Sequence, residues 1–223
     1  MGKYFYKFIR TVGSAIFWVS SRPVVLHPDR ARLKGPCILA ANHHSPYDVA
    51  MMIRHTPVPL DFVSIHEVFQ NRFVAWFYGS MNAFPIDRHK VDGVGVRTML
   101  RRLRDNKVLA MFPEGMIRSP EKSVTNGGPI RSGIGKLAQM AGAPVVPCVV
   151  IDSAAYWKLT AWLPMKAIRY GIIYGEPIAV NKDIDKQVAT AELEAQLKSK
   201  MVELHRELAT AMGIAEPITP ALP

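Results

Sequence analysis

Short apolar runs of strand length alternate along this chain with longer stretches whose apolar residues recur at helical spacing, and that alternation restricts the fold more than any other feature. Residues 36–41, 60–64, 107–112, 145–151 and 168–174 read as strands, with a shorter one at 24–26. Helices are expected at 46–54, at 94–105, from about Arg131 to Gly142, and at 190–212. In the last, Leu193, Leu197, Met201, Leu204, Leu208 and Met212 form one stripe and Gly213 ends the run. Strands separated by helices make an α/β domain, a central and mostly buried sheet flanked by helices. At 223 residues, 49% of them hydrophobic, the chain holds enough apolar mass for one full core.

The first buried run leads straight into Asn42-His43-His44-Ser45-Pro46-Tyr47-Asp48. Ser45 suits a helix cap and Pro46 the first helical position, which puts Asp48 in the first turn, within reach of His43. A carboxylate that fixes the tautomer of a histidine and stabilises its imidazolium makes it a general base. Two other readings stay open on these seven residues. Asp48 can be a capping carboxylate beside an ordinary turn histidine, or His43, His44 and Asp48 can be metal ligands, although no second spaced ligand pair supports a metal.

Further along come Gly79-Ser80-Met81-Asn82-Ala83-Phe84-Pro85-Ile86-Asp87-Arg88, then Met111-Phe112-Pro113-Glu114-Gly115, then Val145-Val146-Pro147-Cys148-Val149-Val150. With Asn-His-x-Ser-x-x-Asp ahead of them, these blocks resemble, in order and spacing, the 1-acylglycerol-3-phosphate (lysophosphatidic acid) acyltransferase family, over roughly residues 35–155. The third block departs from the family pattern, because both Met116 and Ile117 precede Arg118-Ser119.

The resemblance implies that His43 and Asp48 are catalytic. It implies that Arg88, with Arg118 and Arg131, grips a substrate phosphate, and that Asn42, Ser45, Phe84, Glu114 and Gly115 line the substrate site. It further implies a fatty acyl donor, acyl-CoA or acyl carrier protein, a lysophospholipid acceptor, and no cofactor or metal. Main-chain amides at the helix start are the expected oxyanion donors. Other acceptors, a lyso-ornithine lipid or a lysophospholipid in remodelling, remain as alternatives, as does a non-catalytic membrane-surface protein.

A formal net charge of +10 attracts polyanions. No nucleic-acid recognition motif accompanies it, so an anionic membrane and phosphorylated substrates are the expected partners. Residues 1–22 read as an amphipathic helix on the membrane surface, with Phe5, Phe8, Ile9, Val12, Ile16 and Val19 on one face and Lys3, Lys7 and Arg10 roughly opposite. The alternative is that this face packs on the core. Tyr156-Trp157-Lys158-Leu159-Thr160-Ala161-Trp162-Leu163-Pro164 reads as a loop that either anchors at an interface or packs inward. The acyltransferase domain is expected at 23–213, a disordered tail at 214–223, and the location at the cytoplasmic face of the cell membrane. Cys37 and Cys148 read as buried thiols. Residues 71–78 form an aromatic cluster, and residues 126–129 a flexible loop that can move over the site.

Overall fold

The computed structural model describes residues 2–87, 92–131 and 133–214. Among the described residues one sheet of seven strands forms the centre: β1 Ser21–Leu26, β2 Cys37–Ala41, β3 Leu60–Ile65, β4 Phe84–Ile86, β5 Val108–Met111, β6 Val145–Ile151 and β7 Ile168–Tyr174. Their order is β1-β7-β6-β2-β5-β3-β4. Neighbours run parallel except β6 and β7, which are antiparallel.

Helices α1 Gly2–Ser20, α2 Asp48–His55 and α3 Arg72–Ser80 cover one face. The other is covered by α4 Gly93–Arg104, α5 Ile134–Ala141 and α6 Lys186–Met212. Central β2 is buried throughout. Leu39 and Ala41 point into the α1–α3 layer and Ile38 and Ala40 into the α4–α6 layer. A parallel strand covered on both sides has no polar face, which explains the unbroken apolar run.

All six residues of the C-terminal stripe are buried along α6. The helix starts at Lys186 rather than 190, because the Asp185 side chain accepts hydrogen bonds from the amides of Gln187 and Val188. Lys186, Gln187 and Val188 are exposed, so no apolar periodicity marks the start. The aromatic cluster at 71–78 is helical: Asn71 caps α3 through the amides of Phe73 and Val74. The helix α2 begins at Asp48, two residues after Pro46.

The loop at 126–129 is pinned rather than open. Asn126 donates to the Pro120 carbonyl at 2.8 Å, and Gly128 lies so close to the carbonyls of Lys122 and Ser123 that a Cβ would overlap them. Cys37 and Cys148 are free and buried. Burial pushes the Cys37 thiol up to about 11 and the Cys148 thiol higher still, so neither is a ready nucleophile. The expected tail at 214–223 lies, beyond Ile214, outside the described residues.

His55 closes α2 with its Nε2 2.8 Å from the Tyr170 hydroxyl. Burial, reinforced by the Arg54 charge, pulls this imidazole from 6.5 down to about 4, so it is neutral in the folded protein near pH 7. The unfolded chain takes up this proton at the ordinary value, so between 6.5 and about 4 it binds more protons than the folded chain. Stability is therefore expected to fall as pH falls through that window, by up to about 3 kcal/mol. Denaturation curves above and within the window check this, and His55→Gln is expected to flatten the dependence.

Candidate active site

The parallel strands β2, β5 and β6 end side by side, and the segments that leave them meet there, as ligand sites of open α/β sheets do. Asn42 locks the end of β2 to β6. Its amide donates to the Val150 carbonyl and accepts from the Val150 amide, both at 2.8 Å. His43 follows, held by its main chain on two sides. Its carbonyl accepts from the Arg118 amide at 2.8 Å and its amide donates to Glu114 Oε2 at 3.3 Å.

The His43 imidazole lies flat on the Phe112 ring, with centroids 3.8 Å apart and planes within 9°. Its Nδ1 is 3.0 Å from Asp48 Oδ2. That leaves Nε2 without a partner among the described residues. The side chain is 16% exposed while that of Asp48 is fully buried.

Asp48 Oδ2 also accepts from the amides of His44 at 2.8 Å and Ser45 at 2.9 Å. Its other oxygen, Oδ1, accepts from the Ser153 hydroxyl, which also meets Ser45 Oγ at 2.8 Å. The capping role and the histidine-orienting role are thus filled by the same carboxylate. Because it caps the turn, it is fixed where His43 needs it.

His44 takes no such place. Only its amide touches Asp48, and the charge of its ring acts instead on Asp152 and Glu121. Burial pushes the Asp152 carboxyl up, and His44 pulls it back.

Glu114 is buried and fully engaged. Besides the His43 amide it accepts from Ser123 Oγ at 2.6 Å and the Val124 amide at 2.9 Å, tying the end of β5 to both neighbouring loops. Gly115 follows at φ 68, and a Cβ there would fall 2.5 Å from Arg131 Cδ. Glycine thus lets the Arg131 side chain lie along this turn. Arg118 is half-buried and Arg131 exposed. Neither guanidinium has a hydrogen-bond or ion-pair partner among the described residues.

Arg88 lies outside the described residues. Phe84 is in the core with the Arg102 guanidinium 4.6 Å above its ring, and Arg102 pairs with buried Asp61. Asn42 and Ser45 are fully buried, and their side chains bond to β6 and to Ser153 behind the turn that carries His43. The amides at the helix start, expected to hold an oxyanion, are taken: those of His44 and Ser45 by Asp48, that of Tyr47 by Ser45 Oγ and that of Asp48 by the Ser45 carbonyl. Among the described residues no group of three or more His, Cys, Asp or Glu is placed to hold a metal ion.

Residues 22–151, which contain the whole of this arrangement except Asp152 and Ser153, match the family model described as Acyltransferase. The chain belongs to the Acyltransferase family. A 1-acyl-sn-glycerol-3-phosphate acyltransferase of Bacillus subtilis is 23% identical over 206 residues, which span 91% of this chain and 98% of that protein. A protein of the same name from Saccharomyces cerevisiae is 31% identical over 125 residues, covering 54% of this chain and 40% of its own length. The fold is shared with the crystal structure of the 1-acyl-sn-glycerophosphate (LPA) acyltransferase from Thermotoga maritima. The TM-score is 0.63 at 20% identity, with 92% of this chain and 81% of that one covered.

In this acyltransferase Ser153 and Phe112 join the His43–Asp48 pair, although neither stood out in the sequence as a site residue. Phe112 was visible only within the Met111–Gly115 block and at the end of an apolar run. Ser153 is 105 residues from Asp48, and only the pairing of β2 with β6 brings it there. Ser153→Ala is expected to lower kcat roughly 10- to 100-fold with little change in KM, the cost of one hydrogen bond to a charged group. Ser153→Thr, which keeps the hydroxyl, is expected to restore the rate.

Proposed function

We propose that this acyltransferase moves a fatty acyl group from a thioester, acyl-CoA or acyl carrier protein, to the 2-position hydroxyl of 1-acylglycerol 3-phosphate, giving phosphatidic acid. The observation that supports it is the free Nε2 of an oriented His43 whose carbonyl is bonded to the Arg118 amide, with the Arg131 side chain along the Gly115 turn and both guanidiniums without partners among the described residues. The names of the relatives from Bacillus subtilis and Saccharomyces cerevisiae agree with that substrate class.

In this reaction His43 Nε2 takes the hydroxyl proton as the oxygen attacks the thioester carbonyl. Asp48 stabilises the imidazolium. The tetrahedral intermediate collapses with cleavage of the carbon–sulfur bond, and the proton on Nε2 passes to the departing thiolate. Arg118 and Arg131, with Arg88, hold the phosphate and so orient the hydroxyl, which turns binding energy into rate.

The lipid-borne acceptor fits a helix α1 that lies on the membrane. The helix docks on the body through Tyr6 and Phe17, and its Phe8, Val12 and Ile16 stay exposed. Of the predicted apolar face, Phe8, Val12 and Ile16 therefore point away from the core and are available to lipid, on this reading at the cytoplasmic face of the membrane, while Phe5 and Ile9 pack against the core. No helix among the described residues is long and apolar enough to cross a membrane.

One observation favours a second acceptor: Ile117, part of the longer connection to Arg118, is exposed beside the site. A panel of 1-acylglycerol 3-phosphate and phosphate-free lysolipids, run on wild type and Arg118→Met/Arg131→Met, tests the choice. The proposal expects activity on the phosphate-bearing acceptor alone and a raised KM in the double variant. Preference for a phosphate-free lysolipid, unaffected by the double variant, overturns it.

A further inference from the structure

Helix α1 does not stand alone on its face of the molecule. At its start Phe5 meets Trp76 of α3 with centroids 5.1 Å apart. At its end Phe17 packs on Tyr156 at 4.8 Å and Trp162 at 5.6 Å, both in the segment that joins β6 to β7. The Lys166 amide donates to the Val19 carbonyl at 3.1 Å, and the Lys166 ammonium sits 5.0 Å above the Trp18 ring. The connecting segment is therefore fastened along α1 and extends its surface sideways.

That segment is built from two 3₁₀ turns, Ser153–Trp157 and Leu159–Trp162. Tyr156 and Ala161 are buried and hold it down, while Trp157 is 65%, Leu159 88% and Met165 59% exposed. Single exposed apolar residues are ordinary, but three in one short segment fastened to α1 beside exposed Trp18 suit an interaction surface. Lys158 and Lys166 are exposed among these residues and have no carboxylate partner among the described residues. Large apolar side chains interleaved with lysines that have no carboxylate partner match the boundary between acyl chains and anionic headgroups.

The segment also reaches the chemistry. Tyr47, the neighbour of Asp48, packs on Trp157 at 5.5 Å and Trp162 at 5.6 Å, and Ser153 at the segment's start binds Asp48 itself. A bilayer that holds this segment therefore lies against the residues that carry the dyad.

We propose that residues 157–166 form a second lipid-inserting element, entering the headgroup region of an anionic bilayer beside α1 and setting the site against the surface that supplies its acceptor. This rests on the membrane seating of α1 stated above and extends it to a part of the chain far away in sequence.

The test uses single cysteines labelled with a polarity-sensitive dye, since both native thiols are buried. Full-length Leu159→Cys, Phe8→Cys and Glu192→Cys are mixed with vesicles of phosphatidylcholine and phosphatidylglycerol; Glu192 is exposed on α6, in the opposite layer. The proposal expects a blue shift in Leu159→Cys and Phe8→Cys, none in Glu192→Cys, and a much weaker shift with phosphatidylcholine alone. In the unlabelled protein, Trp157→Ser/Leu159→Ser should lower the partition constant about tenfold or more without changing the thermal midpoint.

A shift in Phe8→Cys only overturns the second element and leaves the seating of α1 intact. No shift in any variant overturns both. A shift in all three means indiscriminate adsorption and equally overturns the proposal.

Discussion

Asp48→Asn is expected to slow acyl transfer roughly 100- to 10,000-fold while the protein stays folded. An asparagine oxygen in the place of Oδ2 still accepts from His43 Nδ1 and from the amides of His44 and Ser45, so turn and tautomer persist. Its NH₂ group then faces Ser153, whose hydroxyl can rotate to accept and turn its own proton toward Ser45. What disappears is the charge opposite the imidazolium. Asp48→Ala removes the acceptor as well and leaves buried donors unpaired, at about 1 to 3 kcal/mol each. Activity and denaturation curves on both variants separate charge from geometry: both should be slow, and only the alanine variant strongly destabilised.

Glu114→Ala should be among the most destabilising single changes in this chain, by about 3 to 5 kcal/mol, because three donors lose their buried acceptor. Activity is expected to fall with it, since the main chain of His43 loses one of its two anchors. Glu114→Gln keeps an acceptor for part of the network and should recover much of the stability. Thermal or denaturant unfolding of the two variants checks the order. If Glu114→Ala were as stable as wild type yet inactive, Glu114 would act on substrate directly rather than by holding the turn.

Both residues show what could be read along the chain and what could not. His43 and Asp48 lie five positions apart in one turn, and their contact follows from local geometry. β2 and α6 were equally legible, because continuous burial and a stripe at helical spacing leave their mark on residue type. The role of Asn42 was not. Its two bonds run to a strand 108 residues away, and nothing in a single asparagine separates that from a substrate contact. Glu114, Ser45 and Phe84 are similar: the motif marked the neighbourhood, while the packing decided which way each side chain faces. Helix α3 escaped notice because Phe73 and Trp76 remain exposed, so its apolar residues trace no buried stripe. In α1 the amphipathic pattern was plain, yet the fully buried residues are Tyr6 and Phe17, outside the expected face; of that face Phe5 and Ile9 pack on the core, and Phe8, Val12 and Ile16 are left outward.

The most direct test of the account is thiol release from an acyl-CoA, or from acyl carrier protein as the donor, with detergent-dispersed 1-acylglycerol 3-phosphate as acceptor, in wild type, His43→Ala and His44→Ala. The account predicts phosphatidic acid as product, loss of roughly 100-fold or more in His43→Ala, and near wild-type rates in His44→Ala, whose ring has no part in the dyad. Loss in His44→Ala with activity retained in His43→Ala would contradict it.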